Sequence, residues 1–191
     1  MKNEYAEDLK NALNALRAGK VILYPTDTVW GLGCDPTNAG AVEKIYRIKQ
    51  RADSKSLIVL VSSSEMLKRY VSDIPDVALD MVELTDTPLT VVYDRGKNFA
   101  PGVTAADGSV GIRLCLDPFC QDLLTAFRKP LVSTSANASG EPAPAIFDEI
   151  TEDIKESADY ICLYRQEDRT RSKPSPVIKI SSNGAVKILR Q

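Results

Sequence analysis

The chain has 191 residues, 43% apolar and 26% charged, and its 24 basic and 26 acidic side chains leave a formal charge of −2. That length supports one domain with a real core, and the balance excludes a disordered chain and a whole-protein basic field for nucleic acid. No apolar run nears the roughly 18–20 residues of a membrane span, and no histidine is present, which removes the commonest general base and every Ser-His or Cys-His nucleophile pair.

The N-terminus enters an amphipathic pattern with no apolar signal core, which predicts a cytoplasmic protein. Tyr5, Leu9, Leu13 and Leu16 recur at helical spacing, with Gly19 as a natural stop. Residues 21–24 read as a buried strand closed by Pro25, and residues 26–38 as a loop. Val42, Ile45 and Ile48 mark a helix over 41–48, and 56–61 a second short strand. Residues 64–84 carry helical spacing broken at Pro75. A strand over 89–93, a Gly- and Pro-rich loop over 94–108 and a strand over 110–116 follow. Asp117-Pro118 then starts a helix, as N-cap and first-turn proline.

Residues 131–134 form another strand, 135–144 a polar loop, and 147–157 a short helix. Strands over 160–164, 177–180 and 186–189 complete the order, the last two joined by the turn signal Ser182-Asn183-Gly184. Interleaved helices and strands predict an α/β fold with a mixed sheet. Residues 165–176 are polar, charged and aperiodic, the pattern of a loop that closes over a site. Cys34, Cys115, Cys120 and Cys162 include no C-x-x-C pair and read as reduced, buried thiols.

Three polar segments interrupt apolar strands at their ends, where open α/β sheets bind ligands. The first is Tyr24-Pro25-Thr26-Asp27-Thr28-Val29-Trp30-Gly31-Leu32-Gly33, whose hydroxyls and glycines suit a small polar ligand, or else form an Asx or ST turn. The second is Lys49-Gln50-Arg51, which suits a triphosphate if the helix ends there, and otherwise complements a helix dipole. The third is Ser133-Thr134-Ser135-Ala136-Asn137, a cluster of hydroxyl and amide groups for anion oxygens, or else an exposed loop. Neither a P-loop nor a dinucleotide glycine fingerprint is present.

P-T-D-T-x-x-G-L-G, then K-x-R about twenty residues on, then S-x-N after a late strand, resembles the YrdC/TsaC family of threonylcarbamoyl-AMP synthases. The likeness runs from the first helix to Arg190 and implies a single YrdC-like domain over 1–191, a twisted mixed sheet with flanking helices. It implies threonine, bicarbonate and ATP as substrates, Mg²⁺ held mainly by the phosphates, no protein metal site, and hand-over of the product to a tRNA threonylcarbamoyl-transfer complex. By position, Lys49 and Arg51 hold the ATP phosphates as the catalytic pair, and Ser109, Asn137 and Arg190 join the ATP site. Thr26, Thr28, Arg113, Ser135 and Ser175 form the threonine site, with Arg113 on the carboxylate. Residues 165–176 resemble the family's mobile lid.

The chain departs from the family pattern at Trp30 for tyrosine, at Ala52 and Ser56 for prolines, at Ala145 for a hydroxyl, and in lacking a histidine before Pro118. The competing reading is a module of the same fold that binds double-stranded RNA or tRNA by shape without this activity. The net charge weighs against it.

Overall fold

In the computed structural model, which describes residues 4–50 and 57–191, nine strands join in one sheet of order β7-β1-β2-β6-β3-β5-β4-β8-β9. The strands are β1 (Ile22–Tyr24), β2 (Gly31–Gly33), β3 (Ile58–Val61), β4 (Thr90–Tyr93), β5 (Val110–Leu114), β6 (Leu131–Ser135), β7 (Tyr160–Ile161), β8 (Val177–Ile180) and β9 (Val186–Arg190). Pairing is mixed. β1 with β7, β3 with β5 and β4 with β8 run parallel, and the remaining neighbours run antiparallel.

Most predicted elements form close to their expected bounds. The helices are α1 (Ala6–Arg17), α2 (Ala39–Ile48), α3 (Ser64–Lys68), α4 (Asp76–Leu84), α5 (Pro118–Phe127) and α6 (Glu152–Ser157). Gly19 ends α1 at φ +71°, a left-handed conformation that glycine adopts without steric cost. Asn38 caps α2 by accepting the Ala41 N–H, and Asp117 caps α5 by accepting the Cys120 N–H. Pro75 separates α3 from α4, as a residue lacking an N–H must.

Three expectations need correction. The predicted loop over 26–38 contains β2, whose Gly-Leu-Gly sequence lacks a β-branched run and is held by β1 on one side and β6 on the other. Gly33 is there for close approach: a Cβ would stand 2.5 Å from Tyr24 Cε1 and 2.8 Å from the Val132 carbonyl oxygen. The predicted helix over 147–157 is instead a 3-10 turn, Phe147–Glu149, followed by α6, with Ile150 and Thr151 in extended backbone between them. The strand predicted over 160–164 keeps only the two residues that pair with β1.

One apolar core runs under the sheet, with Leu23, Tyr24, Val59, Leu60, Val91, Ile112, Phe119, Leu123 and Leu131 at 1% exposure or less. Each such side chain contributes about 1.5–3 kcal/mol by leaving water. Helices α1 and α5 meet through the Tyr5 and Phe119 rings, 5.3 Å apart and edge to face, and the Tyr5 hydroxyl donates to Asp122. The four cysteines are free and buried, as expected. Among the described residues no helix is long and apolar enough to cross a membrane.

Candidate active site

The central strands turn a polar face to one side. Side chains alternate along a strand, so Arg113 of β5 shares a face with Gly111 and Thr90, its partner on β4, while Ile58 on β3 pairs with both Gly111 and Ser133 of β6. Apart from Ile58 these residues are small or polar, so the sheet carries little apolar bulk there. A cavity of about 320 Å³ lies against them. Thr28 to Gly31, Ser133 to Ser135 and Asn137, Arg113, and the pair Ser175 and Arg190 form its walls.

The S-x-N segment is held from beneath by Lys49. Helix α2 stops at Ile48, Lys49 is its C-cap, and Gln50 turns away at φ +49°. The Lys49 side chain is buried, and its Nζ donates to the carbonyl oxygens of Ser135 at 2.6 Å and Asn137 at 2.7 Å, and to Asn137 Oδ1 at 3.2 Å. The Lys49 carbonyl in turn accepts the Ser139 N–H. Ser135 Oγ donates to Asn137 Oδ1, and Asn137 Nδ2 donates to the Glu141 carbonyl. The sequence places Lys49 and the S-x-N motif far apart, and the fold brings them into direct contact.

On the opposite wall, Arg113 is 4% exposed. Its Nη1 donates to Ser175 Oγ at 3.4 Å and its Nη2 is ion-paired with Asp27 Oδ1 at 3.0 Å, off the hydrogen-bonding direction, so Nε and Nη2 have no hydrogen-bond partner among the described residues. A guanidinium prefers a planar two-oxygen acceptor, so two open donors on a buried fork favour a carboxylate or phosphate. Ser175 is almost fully buried and acts as a hub: its hydroxyl pairs with Thr90 Oγ1 at 2.8 Å, and its carbonyl accepts Arg190 Nε and Nη2 at 3.0 and 2.7 Å. Burial, and then the neighbouring Arg113 charge, pull the Arg190 pKa below the usual guanidinium value. Two arginines placed so close make a cavity that favours anions.

A second cavity of about 150 Å³ adjoins the first, and Thr28 and Trp30 belong to both. Thr26, Asp27, Ala145, Ile146 and Arg165 also line it. Arg165, at φ +63°, donates to the Thr26 carbonyl at 2.7 Å and pairs with Asp117 at 2.9 Å. It thereby pins the start of residues 165–176, which form neither helix nor strand. Further along, Arg169 pairs with Asp148 and Arg171 with Glu149, against the 3-10 turn. The backbone N–H of Ala145, and then Arg171, hold the Glu149 carboxyl below its ordinary value.

Of the expected site residues, Thr28, Arg113, Ser135, Asn137, Ser175 and Arg190 line the larger cavity together, with Lys49 bound to its floor. Thr26 lines the smaller one, and its hydroxyl is engaged in the turn, accepting the Thr28 N–H and donating to the Val29 carbonyl. Ser109 stands apart from the larger cavity and donates to Asp107 Oδ1 at 2.6 Å. It precedes β5 on the face that Arg113 shares. Arg51, with Ala52 and Ser56, lies outside the described residues. Sequence reasoning missed Asp27, Thr90 and Arg165 as site residues. Asp27 lay within the quoted motif, and Arg165 at the start of the aperiodic segment. Thr90 gave no signal, since its role depends on the register of β4 with β5.

The family model for Sua5, YciO and YrdC, described as telomere recombination, matches residues 14–191. A protein of Vibrio campbellii named threonylcarbamoyl-AMP synthase is 34% identical over 188 residues, covering 97% of this chain and 99% of that one. The crystal structure of Escherichia coli YciO superposes with a TM-score of 0.82 at 26% identity, covering 96% of this chain and 88% of that one. Pyrococcus abyssi Sua5 complexed with L-threonine superposes at 0.83 with 26% identity over 95% of this chain, which spans about half (53%) of that longer protein. With P-T-D-T, K-x-R and S-x-N in this order along the sequence, the chain belongs to the Sua5/YciO/YrdC family.

Proposed function

We propose that this chain is an L-threonylcarbamoyladenylate synthase, a nucleotidyltransferase that makes threonylcarbamoyl-AMP and pyrophosphate from threonine, bicarbonate and ATP for tRNA threonylcarbamoyladenosine modification. The observation that carries this reading is the larger cavity. There the open Nε and Nη2 of Arg113, the Arg190 guanidinium and the S-x-N loop face one space in a chain of this family. The Vibrio relative bears the name of this activity, and the Sua5 neighbour was solved with threonine bound. One apolar core and one continuous sheet support a single domain over 1–191.

The chemistry needs no protein nucleophile, which suits a chain without histidine. The threonine amine adds to carbon dioxide derived from bicarbonate and gives a carbamate. A carbamate oxygen then attacks the α-phosphorus of ATP, and the bond to pyrophosphate breaks. Arg113 holds the threonine carboxylate by its open fork, with Thr26, Thr28, Ser135 and Ser175 shaping the pocket. The K-x-R motif assigns Lys49 and Arg51 to the phosphates, and Ser109, Asn137 and Arg190 complete the nucleotide site. Rate acceleration comes from orienting the two substrates and from neutralising charge as it develops on phosphate. A magnesium ion, where bound, would be held mainly by the triphosphate oxygens and would supply counter-charge there. The adenylate then passes to a tRNA threonylcarbamoyl-transfer complex in the cytoplasm, with tRNA contact at hand-over.

The test is a mass-spectrometric assay of the purified chain with ATP, Mg²⁺, bicarbonate and threonine, omitting threonine as the control. Threonine-dependent threonylcarbamoyl-AMP and pyrophosphate are expected. Their absence from folded protein would refute the reading and favour the RNA-binding module, which predicts strongly salt-dependent RNA affinity instead.

A further inference from the structure

The reaction outlined above gives Asp27 no part, yet its surroundings are those of a receptor. Its Oδ2 accepts the Leu116 backbone N–H at 3.0 Å, which ties the β1–β2 loop to the segment after β5. Its Oδ1 is buried and has no hydrogen-bond partner. Arg113 Nη2 lies 3.0 Å away, but the approach is off the hydrogen-bonding direction, and Nη2 is equally unpartnered. The two side chains are 7% and 4% exposed, so bulk solvent does not reach them freely. Buried polar atoms left open in this way are destabilising unless a ligand supplies the missing partner.

The two charges also face different spaces. Arg113 lines the larger cavity and Asp27 the smaller, and the cavities meet at Thr28 and Trp30. A small ligand at that seam meets an open cationic fork on one side and an open anionic oxygen on the other. An α-amino acid zwitterion has the matching form, with a planar carboxylate and a three-donor ammonium both attached to the α-carbon.

We infer that Asp27 receives the α-ammonium group of the amino acid whose carboxylate Arg113 holds. This rests on the threonine reading of the site. Asp27 thereby selects α-amino acids over α-hydroxy acids and fixes the nitrogen at the seam before it is carbamoylated. A merely structural Asp27 would orient Arg113 and weaken every carboxylate ligand alike when removed.

Calorimetric titration of the full chain separates these roles. The ligands are L-threonine and 2,3-dihydroxybutyrate of the same configuration, in which a hydroxyl replaces the α-amine. Wild type should bind threonine about tenfold tighter or more, and Asp27→Asn should lose about that factor for threonine while changing the analogue about threefold at most. Equal losses for both ligands, or no change for either, would overturn the inference. If the Asn variant does not fold, Asp27→Glu takes its place. A threonine affinity that moves while the analogue's does not supports the inference, and parallel or absent changes overturn it. Wild type that binds no threonine and makes no adenylate removes the threonine reading and this inference together. Threonine binding with parallel losses removes the inference alone.

Discussion

Replacing Lys49 by methionine removes the ammonium and keeps the length of the side chain. Among the acceptors of Nζ are the Ser135 and Asn137 carbonyls at 2.6 and 2.7 Å and Asn137 Oδ1 at 3.2 Å, in a residue only 3% exposed. Hydrogen bonds from a charged donor contribute about 1.5–3 kcal/mol each, and the loss is partly offset because a buried charge no longer has to be desolvated. A net loss of about 2–4 kcal/mol follows from the two short bonds. For a chain of this size each kcal/mol moves the melting temperature by about 2–4 °C, so Lys49→Met should melt about 5–15 °C lower. The S-x-N loop would lose its anchor and the ATP phosphates a cation, so adenylate formation should fall by about two orders of magnitude or more. Differential scanning calorimetry and the adenylate assay, run on the same preparation, report the two effects. A melting temperature within about 1 °C of wild type would refute the anchoring argument, whatever the activity. Wild-type turnover would refute both roles.

Arg113→Ala should raise the threonine KM about thirtyfold or more, the equivalent of about 2 kcal/mol, with a much smaller effect on the ATP KM. Steady-state kinetics with each substrate varied would show this, and equal shifts would count against carboxylate pairing. Gly33→Ala places a methyl 2.5 Å from Tyr24 Cε1 and 2.8 Å from the Val132 carbonyl oxygen, both rigid neighbours. It should destabilise by about 1–3 kcal/mol in a denaturant melt. Asp159 accepts the Val21 N–H and pairs with Lys44 at 2.7 Å. Burial alone would raise its pKa, but these partners outweigh burial and lower it from 3.8. A lowered folded pKa means that its stabilisation is present above the ordinary value and is lost as pH falls through the lowered one. The melting-temperature gap between wild type and Asp159→Asn should therefore be widest above about pH 5 and narrow toward pH 3.

The parts of the fold that sequence revealed are those specified locally. The Asp117 cap, Gly19, Pro75 and the Ser182-Asn183-Gly184 turn each act within a few residues, and each marks an element boundary in the structure. What stayed hidden depends on partners far away in the chain. β2 is a strand only because β1 and β6 flank it, and the Gly-Leu-Gly sequence alone reads as loop. The S-x-N and K-x-R motifs could be recognised as residues, but not the fact that Lys49 props up the S-x-N backbone. Asp27 reads as a turn residue beside two threonines until β5 sets Arg113 against it.

The same sheet explains how a chain without histidine can build a reactive site. Gly31, Gly111, Thr90, Ser133 and Ser135 occupy positions where a half-buried sheet normally carries apolar side chains, and they leave room for ligands over the middle strands. Into that room the fold turns guanidinium groups rather than a nucleophile. Arg113 is fixed by its strand and Arg190 by the Ser175 carbonyl, so neither needs to reorganise as negative charge moves from carbamate to pyrophosphate. Arg113 is buried and Arg190 stands exposed at the rim; partial desolvation first, and then the Arg113 charge, lower the Arg190 pKa, and an anion bound between the two would offset that repulsion. The structure thus concentrates cationic charge at the wall of the larger cavity, and the Asp27 carboxylate, 3.0 Å from Arg113, offsets part of it.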